Sequence, residues 1–384
     1  MIRRQEVFVR ESALVCSLGN TVEEAAFALR SLSPGDSYKT FPFGSETLVR
    51  HYNVLDAQTA QKPFYAKVEG VIESLIQRAG LNAGELEECA LYMGSTSMNL
   101  TAWENVFKEP LKTVSTVPMD GYGEIGRKLA EKFGIGGEIL LFSTACTSSA
   151  NAMLEASREI RAGEMKRAIV VGFEFYNELT VCGFEAMGLL SKEGCKPFDE
   201  NRSGMVLGEG CAAVLLDILP PKSGMCLRVL GGSNRSDVHS ITSHNADGSI
   251  IAHSLRDALS DAGVEAETIT HIKAHATGST HNDLAEGRGI REVFKTLPDI
   301  FVLKPAVGHT LGACGALELA LLDGVLSAGF VPKTEGFENV DCEVQIIPTD
   351  SISLVSEGYF MLNHFGFAGS GVALVVQYTQ GCTA

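Results

Sequence analysis

The chain has 384 residues, 45% of them hydrophobic and 20% charged, with 31 Lys and Arg against 47 Asp and Glu and a formal net charge of −16. That length supports a large core, as several domains or one duplicated domain. The acidic balance argues against nucleic acid or an anionic membrane as the main partner, and the best apolar run, "GALELALLDGVLSAGFV", is broken by Glu318 and Asp323, so no membrane span is expected.

The N-terminal "MIRRQEVFVRESALVCSLGN" lacks the apolar core of a signal peptide and reads as a first strand. The ten cysteines form no C-x-x-C pair and no Cys/His zinc spacing. Without a secretion signal they read as reduced thiols of a cytoplasmic protein, and no metal site is expected. "EILLFS" (138–143) is a strand candidate, Thr147 to Ala162 has helical composition ending at Gly163, and "RAIVVGFEF" (167–175) is the next strand. This is a β-α-β unit, the signature of a buried parallel sheet. "PPKSG" (220–224) separates a first half, 1–219, from a second, 220–384. In the second half "IFVLKPAVG" (300–308) reads as a strand, followed by an Ala/Leu-rich helix over 311–329. Aligning Ala162-Gly163 with Ala328-Gly329 sets Cys146 opposite Gly312, which points to a duplicated α/β architecture with one continuous core. "YFMLNHFGFAGSGVALVVQYT" closes the chain as two strands around a Gly-rich turn.

Four windows carry chemistry. In "FSTACTSSAN" Cys146 lies between a strand and a helix, where unpaired N–H groups and the helix dipole favour a thiolate nucleophile. The same window also fits a buried thiol. In "KAHATGSTHNDLAEG" (273–287) His275 precedes Thr277 and Ser279, and Asp283 and Glu286 share a helical face. A polar loop with an N-cap fits equally well. In "LKPAVGHTLGACG" (303–315) an ammonium at Lys304 near His309 can set the protonation state of the ring. In "NHFGFAGSG" (363–371) glycines let backbone N–H groups approach a ligand.

Together these windows resemble the β-ketoacyl synthase family of decarboxylating condensing enzymes. "TACTSS" is similar to the nucleophile motif T-A-C-S-S, and "HATGST" to H-G-T-G-T. "KPAVGHTLGACG" is similar to K-x-x-x-G-H-x-x-G-A-A-G, and "FGFAGSG" to F-G-F-G-G-T-N. "KPFDENRSGMVLGEGCAAVLL" and the N-terminal "LVCSLGNTVEEAAFALRS" extend the likeness over nearly the whole chain. The resemblance implies the thiolase fold, a duplicated five-layer α-β-α-β-α architecture, usually dimeric. It implies Cys146 as nucleophile with His275 and His309 in the Cys-His-His set of elongating enzymes, alongside Lys304. The amides of Cys146 and Phe367 would form the oxyanion hole, with Asp283, Glu286 and Glu318 as a supporting network. Thr277 and Ser279 match positions that bind the pantetheine arm, Ser97, Phe184 and Phe367 match the acyl pocket, and Arg202 matches the entrance where a carrier docks.

No bound cofactor is implied; the substrate is a phosphopantetheine thioester on an acyl carrier protein. The expected partners are that carrier and a second synthase-like chain, identical or related. Ala276 and Ala368 stand where the family has glycine, and Ser97 stands where a bulky pocket residue is usual. These departures lean toward a specialised fatty acid, polyketide or aryl polyene system. A non-catalytic subunit like a chain-length factor and a non-decarboxylating acyltransferase are the alternatives. Cationic groups for carrier docking include Lys62 with Lys67, Arg127 with Lys128, and Arg161 with Lys166 and Arg167.

Overall fold

The computed structural model describes residues 4–31, 38–107, 120–222 and 224–382. Its first half runs β1 (Phe8–Cys16), α1 (Phe64–Ala79), β2 (Ala90–Gly94), α2 (Tyr122–Phe133), β3 (Ile139–Phe142), α3 (Ser148–Ala162), β4 (Arg167–Glu174) and β5 (Gly210–Asp217). The second half repeats this order with β6 (Met225–Ser236), α4 (Ser249–Ala262), β7 (His271–Lys273), α5 (Thr280–Val293), β8 (Asp299–Phe301), α6 (Cys314–Ser327), β9 (Gly358–Phe365) and β10 (Ser370–Gln380).

The ten strands lie in the order β8-β7-β9-β10-β6-β1-β5-β4-β2-β3. Each half therefore has its first strand inside and its third at the edge. The two half-sheets join where β1 pairs with β6, at Phe8↔Arg228 and Val9↔Leu227. In each half the three outer strands are parallel and the remaining pairings antiparallel.

The sequence pattern explains the layering. β4 is buried at all eight positions, as expected of a strand with helices on both faces. On one outer face Val68, Val71, Ile72 and Leu75 of α1 and Ile125 and Leu129 of α2 pack on Leu91, Met93, Ile169 and Val171. On the other, Ile251 and Leu255 of α4 and Ile290 of α5 pack on Ile272, Ile300, Met361 and Val375. The small-residue helices α3 and α6 fill the centre, where a Cβ at Gly315 would sit 2.3 Å from the Ala150 nitrogen. The result is five layers, α-β-α-β-α, in a duplicated α/β fold. No described helix is long and apolar enough to cross a membrane.

The duplication holds residue for residue at the centre. A single 3₁₀ turn, Ala145–Thr147, precedes α3, and another, Leu311–Ala313, precedes α6. Ala145 and Leu311 both adopt left-handed φ, 53° and 44°. This is the register that sets Cys146 opposite Gly312.

Two expectations need correction. The strand expected over 300–308 ends at Phe301, and Lys304–Val307 form a helical turn. Pro305 explains this, because its fixed φ and missing N–H suit a first helical turn and not a strand interior. The cysteines are not all free thiols: Cys226 and Cys382 are bonded, with Cα atoms 5.6 Å apart. β10 runs beside β6 with Thr379 opposite Cys226, which brings Cys382 alongside.

Candidate active site

Cys146 sits in the 3₁₀ turn that carries the chain from β3 into α3, 6% exposed. The left-handed Ala145 before it makes the turn sharp, and the backbone at Cys146 and Phe367 favours charge on its sulfur. His309 Nε2 lies 3.0 Å from the sulfur. The His275 and His309 rings stand edge to face, 5.2 Å between centroids.

Backbone pairing fixes each histidine. His309 donates its N–H to the Val206 carbonyl at 2.7 Å, and its own carbonyl accepts from Gly208 at 3.1 Å. The Gly-Glu-Gly stretch of the sequence thus lays a short strand beside His309. His275 follows β7, and its N–H and that of Ala276 each donate to one Glu286 oxygen, at 2.8 and 2.7 Å. Asn363 Nδ2 donates to Glu286 as well, at 3.0 Å. Asp283 accepts from the amides of Phe198 and Gly278. Glu318 holds Lys304 at 2.7 Å and also pairs with Lys273.

Burial decides the protonation states. It pushes the Cys146 thiol up to about 12, against the Lys304 charge and the backbone at Phe367 and Cys146. The helix N-terminus therefore does not deliver a standing thiolate, contrary to the expectation from the sequence. Burial, reinforced by Lys304, holds His275 and His309 well below the ordinary imidazole range. Burial pushes Asp283 up to about 7 and also raises Glu286. Burial opposes the charge on Glu318, but Lys273 and Lys304 override it and hold that carboxyl below its usual range. The site is thus a neutral thiol against a neutral imidazole, with a second neutral imidazole beside them. Such a pair can move a proton off sulfur during attack and then offer two N–H donors to a developing oxyanion.

A cavity of about 400 Å³ opens onto this group. Cys146, His275, His309, Thr277, Ser279, Phe184 and Phe367 all line it. Phe184 and Phe367 stack at 5.5 Å and close one side. Lys304, Asp283, Glu286 and Glu318 lie behind the wall, fully buried. Gly369 ties the Phe367 turn down, since a Cβ there would sit 1.7 Å from the Asp237 carbonyl oxygen. Ala276 and Ala368 have left-handed φ of 26° and 57°. Each pays a cost of about 1 kcal/mol that glycine would avoid.

The structure brings most sequence candidates together but not all. Ser97 does not line this cavity; its hydroxyl bonds to Glu174 at 2.9 Å. Arg202 is not at the entrance surface. It is 8% exposed, ion-paired with Asp341 at 2.5 Å and bonded to the Asp199 and Thr280 carbonyls, so it offers no free charge to a carrier. Arg127 pairs with Glu124 and Glu131, Lys128 with Asp120, Arg161 with Asp261, Lys166 with Glu88 and Arg167 with Asp217, and Lys67 lies against the Phe175 ring.

Sequence reasoning missed Glu174. It accepts from Ser95 Oγ at 2.6 Å, from the Thr96 and Ser97 amides, and from the Gly312 amide at 3.3 Å. It thereby ties the turn before α6 to the loop after β2. The available signal was an acid at the end of the apolar run "RAIVVGFE". His275, Cys314 and His364 form a cluster with metal-ligand spacing, but Lys273 lies 3.5 Å from His364 Nε2, and its ammonium would repel a cation.

The family models match accordingly. Residues 67–220 match the N-terminal domain of β-ketoacyl synthase and residues 228–338 its C-terminal domain. The chain belongs to the β-ketoacyl synthase family, the condensing acyltransferases, and has the thiolase fold. Among curated relatives, the 3-oxoacyl-[acyl-carrier-protein] synthase 2 of Mycobacterium bovis is 29% identical over 299 residues, covering 73% of this chain and 72% of its own. The chloroplastic synthase I of Hordeum vulgare is 31% identical over 64% of this chain and 56% of its own. A solved ketosynthase in complex with its chain length factor, from Xenorhabdus doucetiae, superposes with a TM-score of 0.83 at 24% identity, covering 99% and 98% of the two chains. The ishigamide ketosynthase/chain length factor gives 0.82 at 22%, covering 99% and 100%.

Proposed function

We propose that this chain is an elongating β-ketoacyl-[acyl carrier protein] synthase of a specialised fatty acid, polyketide or aryl polyene system. The observation that carries this reading is the 3.0 Å contact between His309 Nε2 and the Cys146 sulfur, with a second buried histidine 5.2 Å from the first. Acyl transfer alone would need one base; two neutral histidines fit the enolate of a decarboxylation.

The mechanism follows from the groups present. His309 takes the thiol proton as the Cys146 sulfur attacks the acyl thioester. The departing pantetheine thiolate takes a proton from the His309 ring, leaving acyl-Cys146. A malonyl thioester then lies along Thr277 and Ser279. Its carboxylate leaves as carbon dioxide, and the freed electron pair forms an enolate whose oxygen accepts from His275 and from His309, whose neutral ring now carries its single proton on the nitrogen that had served as base. The enolate carbon attacks the acyl carbonyl, whose oxyanion accepts from the amides of Cys146 and Phe367. Collapse releases the Cys146 thiolate, which takes up one proton from solvent, and a β-ketoacyl thioester on the carrier.

The proposed partner is a second synthase-like chain docking at β3. This edge strand is half-buried along its length and leads directly into the Cys146 turn. Its outer backbone groups invite another strand. Intact mass after incubation with acyl-carrier thioesters tests the reading. The expected result is an adduct absent in Cys146→Ala and discharged by malonyl-carrier. An adduct that malonyl-carrier never discharges refutes condensation in favour of simple acyl transfer. If no donor gives an adduct even with the partner chain co-expressed, the chain is a non-catalytic subunit.

A further inference from the structure

Lys273 ends β7 in "HIKAHATG", an ammonium within an apolar run, and it is 1% exposed. A buried charge survives only where it is paired and hydrogen-bonded. Its Nζ pairs with one oxygen of Glu318, donates to the Asn363 carbonyl at 2.7 Å, and lies 3.5 Å from His364 Nε2. The other Glu318 oxygen holds Lys304 at 2.7 Å. One carboxylate, Glu318, therefore bridges two ammoniums, and Glu286 is the further acid that interacts with both of them. The proposed mechanism gives no step to Lys273, nor to the Glu318 and Lys304 it is tied to.

Building on the condensing role proposed above, we infer that Lys273 is a positioning residue for decarboxylation: it anchors Glu318, and through it Lys304, and sets a second buried positive charge beneath the His275–His309 pair. The surroundings define what that charge can act on. β9 contributes His364, α6 contributes Cys314 and Glu318, the Lys304–Val307 turn contributes Lys304, α5 contributes Glu286, and the Lys273 charge also reaches the His275 and His309 rings. Burial draws Lys273 down from 10.5 while Glu318 holds it up. Its charge is among the causes that keep His275, His309 and His364 below the ordinary imidazole range. Neutral imidazoles donate to an enolate oxygen, and a nearby cation favours the negative charge that develops there. A chain also runs from His364 Nδ1 to Cys314 Sγ at 3.7 Å and on to the Cys146 carbonyl at 3.0 Å. Lys273 thus touches the frame of the nucleophile without touching its sulfur.

The test uses the full chain with Lys273→Met, which keeps length and removes charge, and Lys273→Arg, which keeps charge. Unfolding temperature, Cys146 acylation by intact mass, and carbon dioxide release from malonyl-carrier across pH are measured on each. The expected Lys273→Met protein is folded and acylates Cys146 at close to the wild-type rate. It decarboxylates about tenfold more slowly at neutral pH, and the acid limb of its profile moves up by about one unit, because an imidazolium is no longer repelled. Lys273→Arg returns the limb toward the wild-type position. A folded Lys273→Met protein with wild-type decarboxylation and an unmoved acid limb overturns the inference. If Lys273→Met does not fold, Lys273→Gln carries the same test, and if neither folds the role is structural and the inference falls. A wild-type protein that acylates Cys146 but releases no carbon dioxide overturns the condensing role itself, a different failure visible before any Lys273 variant is compared.

Discussion

Glu286→Gln isolates what a buried carboxylate does for His275. Glu286 accepts from the His275 amide at 2.8 Å, the Ala276 amide at 2.7 Å and Asn363 Nδ2 at 3.0 Å. A glutamine can place its carbonyl where two of these converge, but its amino group then faces the Ala276 N–H, donor against donor. The orphaned N–H costs about 1–3 kcal/mol, and two charge-assisted bonds fall to neutral ones at about 0.5–1 kcal/mol each. Burial disfavours the carboxylate charge in the first place, which offsets part of the loss, so the net destabilisation is about 2 kcal/mol. In a chain of this size that lowers the unfolding temperature by roughly 2–3 °C. The left-handed φ of 26° at Ala276 is held by the bond that is lost, so the His275 ring shifts. Misplacement of about 1 Å costs roughly a hundredfold in rate. Thermal unfolding and carbon dioxide release from malonyl-carrier check this, with Cys146 acylation, which runs through His309, expected to change less than about threefold. An unfolding temperature within a degree of wild type together with undiminished decarboxylation would refute the reasoning.

Three further outcomes follow from the same geometry. A Cys146 thiol pushed up to about 12 gives iodoacetamide inactivation rates that rise about tenfold per pH unit from 7 to 10; a plateau below pH 8 would mean that the helix N-terminus outweighs burial. Asp283, raised to about 7, binds its proton more tightly folded than unfolded, so stability falls as pH rises from about 4 to 7, by up to about 4 kcal/mol. Asp283→Asn flattens that window, and denaturant titrations that overlay those of wild type at every pH refute the assignment. Arg202→Met lowers the unfolding temperature by several degrees, since it strands Asp341 and two carbonyls, and leaves the KM for acyl-carrier within about twofold; a raised KM in a stable protein would restore Arg202 as a docking residue.

The reach of the sequence was set by how local each signal is. β4 and α3 were legible because an apolar run and a small-residue helix are read within one window, and Cys146, His275 and His309 because motif spacing survives without knowledge of contacts. Lys273 and Glu174 were not legible, because a charge inside an apolar strand has no meaning until the partners on Glu318, Ser95 and Gly312 are in place. Arg202 failed for the converse reason. Its motif put it near the entrance, but whether a guanidinium faces solvent depends on Asp341, 139 positions away. The protonation of Cys146 failed similarly: the helix terminus is visible in sequence, while the depth of burial that outweighs it is not.

The duplication turns that burial into function. Two 3₁₀ turns meet at the centre of the molecule, each entered through a non-glycine residue in left-handed φ, Ala145 and Leu311. Each turn frees an amide at the start of a central helix. In the first half the amide beside the turn faces a sulfur, because residue 146 is cysteine. In the second half the equivalent residue is Gly312, whose N–H is taken by Glu174 at 3.3 Å, and a Cβ there would sit 2.8 Å from the Ser95 backbone. One copy of the turn thus holds the nucleophile while the other is locked as a wall. His309, two residues before Leu311, gains from that lock, since a fixed Gly312 turn leaves its ring no freedom to leave the sulfur. Loosening the wall is therefore expected to separate His309 from Cys146 before it unfolds the core. Glu174→Gln, which weakens the hold on Gly312 while leaving both helices packed, costs a few degrees of unfolding temperature, as at Glu286, and is the variant in which acylation of the still-folded protein should fall well beyond what that loss accounts for. Loss of stability in step with acylation would mean instead that Glu174 serves the core as a whole.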